Sequence, residues 1–314
     1  MDDYDLGAHG RKITTTSADA QRWFDLGLNW TYAFNHGEAV TSFKNALEAD
    51  PNCAMAHWGV AYAIGPNYNL PWHRLDPKGR AKALEAAYDA TQCARANLDG
   101  LTAPEKGMIE ALTARFPQRE LVEDLDPWNV DFTNAMRNVL KAHPDDLEIR
   151  SIFVEAIMNE TPWKMWDLPT GQIAEGAGTA EAREVLESAF RDMPSSWDHP
   201  GILHLYVHLM EMSPFPELAL RAGDRLRDLM PDSGHLIHMP THIDVLCGNY
   251  RDVVVYNQKA IVADRKYLER NGPLNVYAMY RTHNHHFVIY GAMFLGQYTA
   301  AIAAAQELID TTPE

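Results

Sequence analysis

Between Ala20 and Pro51 the chain sets Trp23, Leu26, Gly27, Trp30, Ala39, Phe43, Ala46 and Pro51 at offsets that suit one structure only, two antiparallel helices joined by a tight turn. A repeat of about 34 residues of this kind cannot bury its apolar face alone, so neighbouring copies must stack on it. Weaker copies follow. Pro231 closes a repeat that opens at Pro200, with Ala219 where Ala39 stands in the first. Gly248, Tyr250 and Ala260 imply a repeat opening at Gly234, and Gly296, Tyr298, Ala301 and Pro313 imply one opening near Thr282. Ala-rich runs such as GRAKALEAAYDATQCARANL and TAEAREVLESAF fill the spaces between, and no segment alternates with a two-residue period. The expected fold is all-α, a superhelix of roughly fourteen to sixteen helices spanning residues 1–314 as one array. A sheet of three or more strands would contradict it.

The repeat gives a spacing of histidines its meaning. Eight of the fourteen histidines fall between His204 and His286. His204 and His208 are four apart, as are His238 and His242, and His283 and His286 are three apart; each spacing stacks two imidazoles on one helical face. The first helix of each pair lines the concave side of such a stack, through its second, fifth, ninth and twelfth residues. Counting from Pro200 these positions include His204, His208 and Glu211. From Gly234 they are His235, His238 and His242, and from Thr282 they include His283 and His286. His285 falls on the opposite side and is expected to pack within its own pair. Residues 200–300 are therefore expected to hold a metal site built from His204, His208, His238, His242, His283 and His286. Hydrogen-bonded histidines lining a polar channel are the alternative.

The segments WFDLGLNWTYAFNHGEAVTSFKNAL, AMAHWGVAYAIGPNYN, ETPWKMW, HPGILHLYVHLMEMS, GHLIHMPTHIDVLCGNY and HNHHF resemble a tetratricopeptide-repeat family of bacteria and fungi with histidine-rich C-terminal repeats. The resemblance covers almost the whole chain. It implies an α-helical solenoid and histidine segments that belong to the family's pattern, but no assigned reaction.

Six imidazoles with few carboxylates suit two copper ions of about three nitrogens each; zinc and iron are the alternatives, iron needing a carboxylate that only Glu211 supplies. The expected function is a metal-dependent oxidoreductase, an oxidase or oxygenase acting on a small organic substrate with dioxygen. Glu211 would orient a ligand histidine or act as a base, while Trp58, Trp163, Trp166 and His235 would contact substrate. A zinc-dependent hydrolase or hydratase, or a scaffold holding a peptide in its groove, are the competing readings.

A formal charge of −16 disfavours nucleic acid or an anionic membrane as partner. No stretch approaches the ~20 apolar residues of a spanning helix. The acidic opening MDDYDLGAHG resembles neither a secretory signal nor a transit peptide. Cys53, Cys93 and Cys247 are odd in number and widely spaced, which suits reduced thiols in the cytoplasm. Three aromatic segments, Gly65 to His73, Asp124 to Phe132 and Asn159 to Gly171, are expected to form loops between repeats.

Overall fold

The computed structural model describes residues 4–312, which form two compact units. The N-terminal unit is residues 9–205; the C-terminal unit comprises residues 4–8 and 206–312 of the described chain. Helices dominate both. Among the described residues the strands are a two-stranded antiparallel ribbon, β1 (Trp166–Asp167) with β2 (Gln172–Ile173), and one isolated bridge between Asn67 and Leu70. No described helix is long and apolar enough to cross a membrane.

In the N-terminal unit, α1 (Ala18–Tyr32) and α2 (His36–Ala49) are the helices of the first repeat. Ser17 caps α1 by accepting from the Ala20 amide, and Asn35 caps α2 by accepting from that of Glu38. Then come α3 (Ala54–Ile64), α4 (Pro77–Arg95), α5 (Ala103–Arg115), α6 (Asp126–Ala142), α7 (Leu147–Glu160) and α8 (Thr179–Asp192). Each packs on the next in sequence, and α1 on α3 and α3 on α5 as well, as expected of stacked pairs. The small residues of the first repeat are there to admit Phe43. A Cβ at Gly27 of α1 would stand 2.6 Å from its ring, and one at Gly59 of α3 2.5 Å from it, so two helices close on opposite sides of one buried aromatic. The Asp124 to Phe132 segment is not a loop: from Asp126 it is the first turn of α6, with Pro127 at the start, where a missing amide costs nothing.

The chain enters the C-terminal unit within α9 (Pro200–Met210). There follow α10 (Leu220–Leu226), α11 (Gly234–His238), α12 (Pro240–Cys247), α13 (Tyr250–Asn271), α14 (Ala278–Phe294) and α15 (Tyr298–Thr311). Two apolar clusters hold the unit together. Val254 and Ile261 of α13 meet Val288 and Ala292 of α14 and Ala304 of α15, while Ile237 of α11 meets Ala260 and Ala263 of α13. Helices open at Pro200 and Gly234, as the repeat spacing requires. The third expected start, Thr282, lies four residues inside α14, and a shift of one turn keeps nearly the same face.

Candidate metal centre

Three of the expected ligands meet in the C-terminal unit. His238 closes α11 and His242 lies on α12; Met239 between them keeps helical angles, φ −51° and ψ −42°, so the two rings remain one turn apart in spite of Pro240. His283 comes from α14. The Nε2 atoms of His238 and His242 are 2.9 Å apart, those of His283 and His242 3.2 Å, and the three histidines offer ring nitrogens all within 4.8 Å of one another. The ring of Phe287 packs edge-on against His238 and His283 and tilted against His242, with centroids 4.6–4.7 Å away. This trio could hold a metal ion.

The hydrogen bonds behind these rings fix which nitrogens carry protons. Asn257 on α13 gives its amide N–H to the Val253 carbonyl (2.7 Å) and to Thr241 Oγ1 (2.9 Å). A carbonyl only accepts, so the Asn257 amide is oriented and its oxygen must accept from His238 Nδ1 at 2.6 Å. Glu211, just beyond α9, accepts from His208 Nδ1 through Oε1 and from His242 Nδ1 through Oε2, both at 2.7 Å. With Nδ1 committed as donor on both rings, neutral His238 and His242 turn bare Nε2 lone pairs toward each other across 2.9 Å. Two lone pairs at that distance repel unless a cation lies between them. Nitrogens bound about 2.0–2.1 Å from a tetrahedral metal stand about 3.3 Å apart, close to what is found. Carboxylate and amide partners on the far nitrogens are what ligand histidines ordinarily have.

Electrostatics favour the deprotonated form of His238 and His283. Burial holds His238 well below its ordinary pKa, and the neighbouring His242 and His283 add to the effect. Burial, followed by His242 and His286, lowers His283 to about 4. Burial alone would raise the Glu211 carboxyl, but positive charge on His242 or His208 when either is protonated, and the hydrogen bonds both rings give it, outweigh burial and hold the group below the carboxylate range. An ionised Glu211 accepting from two imidazoles links His208 to the trio.

The remaining expected site residues are dispersed around this centre or away from it. His208 and His235, both in the C-terminal unit and buried, bring ring nitrogens within 4.8 Å of each other, with ring centroids 6.1 Å apart. His235 also packs against Tyr280 at 4.3 Å. His204, in the N-terminal unit, donates from Nδ1 to the Tyr32 carbonyl at 2.7 Å and packs on Phe34. His286 is exposed, its ring centre 6.3 Å from that of His283, and stands outside the three-nitrogen group. His285 is buried on the other face of α14, as expected, donating from Nδ1 to the Arg281 carbonyl. Trp58, Trp163 and Trp166 all belong to the N-terminal unit: Trp58 stacks on Tyr62, Trp163 on Tyr68, and Trp166 begins β1.

Phe287, four residues beyond His283, shares its helical face and could have been read from that interval, whereas the sequence spacing does not reveal Asn257 as a partner of the histidines. Nor does it reveal a third His/Glu group, in the N-terminal unit, where Glu148 Oε1 receives His9 Nε2 at 2.8 Å and His199 Nε2 at 2.7 Å. Here the same proton bookkeeping excludes a ligand role for His199. Its Nδ1 accepts from the Ile202 amide at 3.2 Å, so Nε2 must carry the proton that Glu148 receives. Arg11 adds its guanidinium to this carboxylate at 3.3 Å. The group is a hydrogen-bonded ion cluster that ties the segment preceding α1 to α7. No protein-family model matches the chain, and no curated protein matches it.

Proposed function

We propose that the protein is a metal-dependent oxidoreductase acting on a small organic molecule, with His238, His242 and His283 as metal ligands and Glu211 and Asn257 as the groups that orient them. The observation carrying this reading is the 2.9 Å approach of two ring nitrogens that both lack a proton when their imidazoles are neutral. Copper suits the set best, since all three donors are imidazoles and copper tolerates nitrogen-only coordination. Bound copper would supply one-electron chemistry toward dioxygen. The protein's own contribution is to hold three lone pairs convergent and to keep Nδ1 of His242 hydrogen-bonded to an ionised Glu211, which fixes the ring's tautomer and orientation. His208 and His235 extend the array toward a second ion. We further read the stacked helix pairs as a tetratricopeptide-type solenoid, and the three free cysteines as thiols of a cytoplasmic protein.

Zinc is the second reading, favoured by the count of three protein ligands, which leaves a fourth position for water as in hydrolytic sites. Metal analysis of the purified protein, with an optical and paramagnetic-resonance spectrum, separates the two. Copper with a paramagnetic signal supports the oxidoreductase, and stoichiometric silent zinc supports a hydrolase. If after reconstitution the wild type retains no more copper, zinc or iron than a His242→Ala control, the metal reading fails.

A further inference from the structure

In the N-terminal unit, α3, α5 and α7 bury a second polar group that the histidine centre does not use. Tyr62 of α3 donates its hydroxyl to Glu155 Oε2 of α7. Arg115 of α5 lies 5.3 Å above the Tyr62 ring and donates Nη2 to the Pro66 carbonyl at 2.7 Å. Asn159 stands one turn beyond Glu155 on α7. His36 opens α2, donates from Nδ1 to the Ala63 carbonyl at 2.9 Å and feels the charges of both Glu155 and Arg115.

Arg115, Tyr62, Glu155 and Asn159 are only 1%, 3%, 6% and 3% exposed. Yet Glu155 Oε1, both amide atoms of Asn159 and His36 Nε2 meet no hydrogen-bond partner within the protein. Native interiors leave very few such atoms, and a ligand carrying several hydroxyls would satisfy those of this group together. Their chemistry is readable. His36 carries its proton on Nδ1, because a carbonyl only accepts, so Nε2 offers a lone pair. The group thus presents three acceptors, on Glu155, Asn159 and His36, and the donors of the Asn159 amide and of Arg115 Nε and Nη1, which likewise meet no partner within the protein. The charge of Glu155 is balanced by Arg115. A ligand meeting this set must both donate and accept several times and carry no net charge. Aromatic faces lie beside it in sequence: Trp58 stacks on Tyr62 (5.1 Å, 9° between planes) and Tyr68 on Trp163 (5.1 Å). Trp163 follows Asn159 by four residues and takes φ +62°, a conformation that bulky side chains adopt only where the surroundings enforce it.

We propose that the N-terminal unit binds a neutral, polyhydroxylated small molecule, whose hydroxyls pair with Glu155, Asn159 and His36 while Arg115 and Tyr62 balance and orient the Glu155 carboxylate. The site needs no metal, so it stands or falls independently of the histidine centre.

The test uses the full chain, treated with chelator and untreated, in calorimetric titrations with myo-inositol and D-glucose as neutral probes and D-gluconate and D-glucosamine as their charged counterparts. A neutral probe is expected to bind in both preparations, with the charged ones at least about tenfold weaker. Asn159→Leu and His36→Phe should each weaken binding by about tenfold or more while leaving metal content unchanged; the second variant, at the half-buried end of the group, keeps the test valid if the first does not fold. No heat from either neutral probe up to about 10 mM, far above a useful affinity, would overturn the proposal. So would tighter binding of a charged probe, or unaltered binding in the variants that fold.

Discussion

At the scale of single residues, the metal centre depends on who holds each proton. Glu211 receives Nδ1–H from His208 and from His242 at 2.7 Å each. Replacing it by Gln keeps shape and volume but leaves one oxygen to accept and an amide to donate. One of the two imidazoles then faces a donor, and must reverse its tautomer or turn its ring. We expect Glu211→Gln to weaken metal binding by about 10–100-fold, the usual effect of losing such an orienting partner, with helicity unchanged. Competition titration with a chromophoric chelator reads it; an unaltered affinity would mean that Glu211 does not orient the ligands. The pairs His204/His208 and His238/His242, with Glu211 among them, were legible as residues on shared helical faces. Asn257 was not, because it has no periodic relation to a histidine and is brought in by the packing of α13 on α11, whereas Phe287 follows His283 by one helical turn and could have been read from that spacing. His286 has a helical spacing from His283, but three residues turn a side chain by about 300°, and here that suffices to expose it.

At the scale of elements, the first repeat shows why its sequence was the clearest part to read. Gly27 and Gly59 flank the Phe43 ring so closely that a methyl group on either would meet aromatic carbons at 2.5–2.6 Å. Phe43 is 1% exposed and has no free space to retreat into. Gly59→Ala should therefore cost about 1–3 kcal/mol, the range for overpacking a filled core, in spite of the better helix propensity of Ala. Urea unfolding followed by circular dichroism would show it as a lower midpoint at unchanged slope; a neutral or stabilising result would refute the three-helix sandwich. Small residues at helix crossings leave strong marks in sequence, while the starts at Pro200 and Gly234 were read from the fixed offsets of Pro231 and Ala219 and of Gly248, Tyr250 and Ala260. The α14 boundary was displaced by one turn because α13 runs for 22 residues and shifts the following helix away from the repeat's ruler. In the Asp124 to Phe132 segment the proline reads equally as a loop or as a first turn, and only the continuing amphipathic face of α6, with Phe132 and Met136 buried, decides it.

At the scale of the molecule, buried titratable groups set how stability depends on pH, and they act in opposite directions. His283, brought down to about 4, and His238, lower than its ordinary value, stay neutral when folded but protonate once unfolded. The unfolded chain binds more protons between about 4 and 6.5, so these groups make stability rise with pH there. Asp264 does the reverse. Burial pushes its carboxyl up to about 7, against the lowering effect of hydrogen bonds from Tyr277 Oη (3.0 Å) and Asn284 Nδ2 (2.6 Å). Between its ordinary 3.8 and about 7 the folded state holds the extra proton. Its contribution is thus fully present below 3.8 and lost as pH rises from there through 7, on the order of 4 kcal/mol in all. Asp244, raised to about 6 by burial, adds in the same sense. For the metal-free protein the two sets oppose each other up to pH 6.5, and above it the loss from Asp264 is the main remaining slope. Asp264→Asn should abolish that slope. The new amide can accept from Tyr277, and once the Asn284 amide turns over it can donate to Asn284 Oδ1, an atom without a partner in the native chain. Denaturant unfolding at a series of pH values is expected to show the wild type losing stability from pH 6.5 to 8 and the variant holding level there, while the variant alone gains between pH 4.5 and 6.5. A variant that follows the wild type across the whole series would show that Asp264 is already ionised in the folded state at neutral pH.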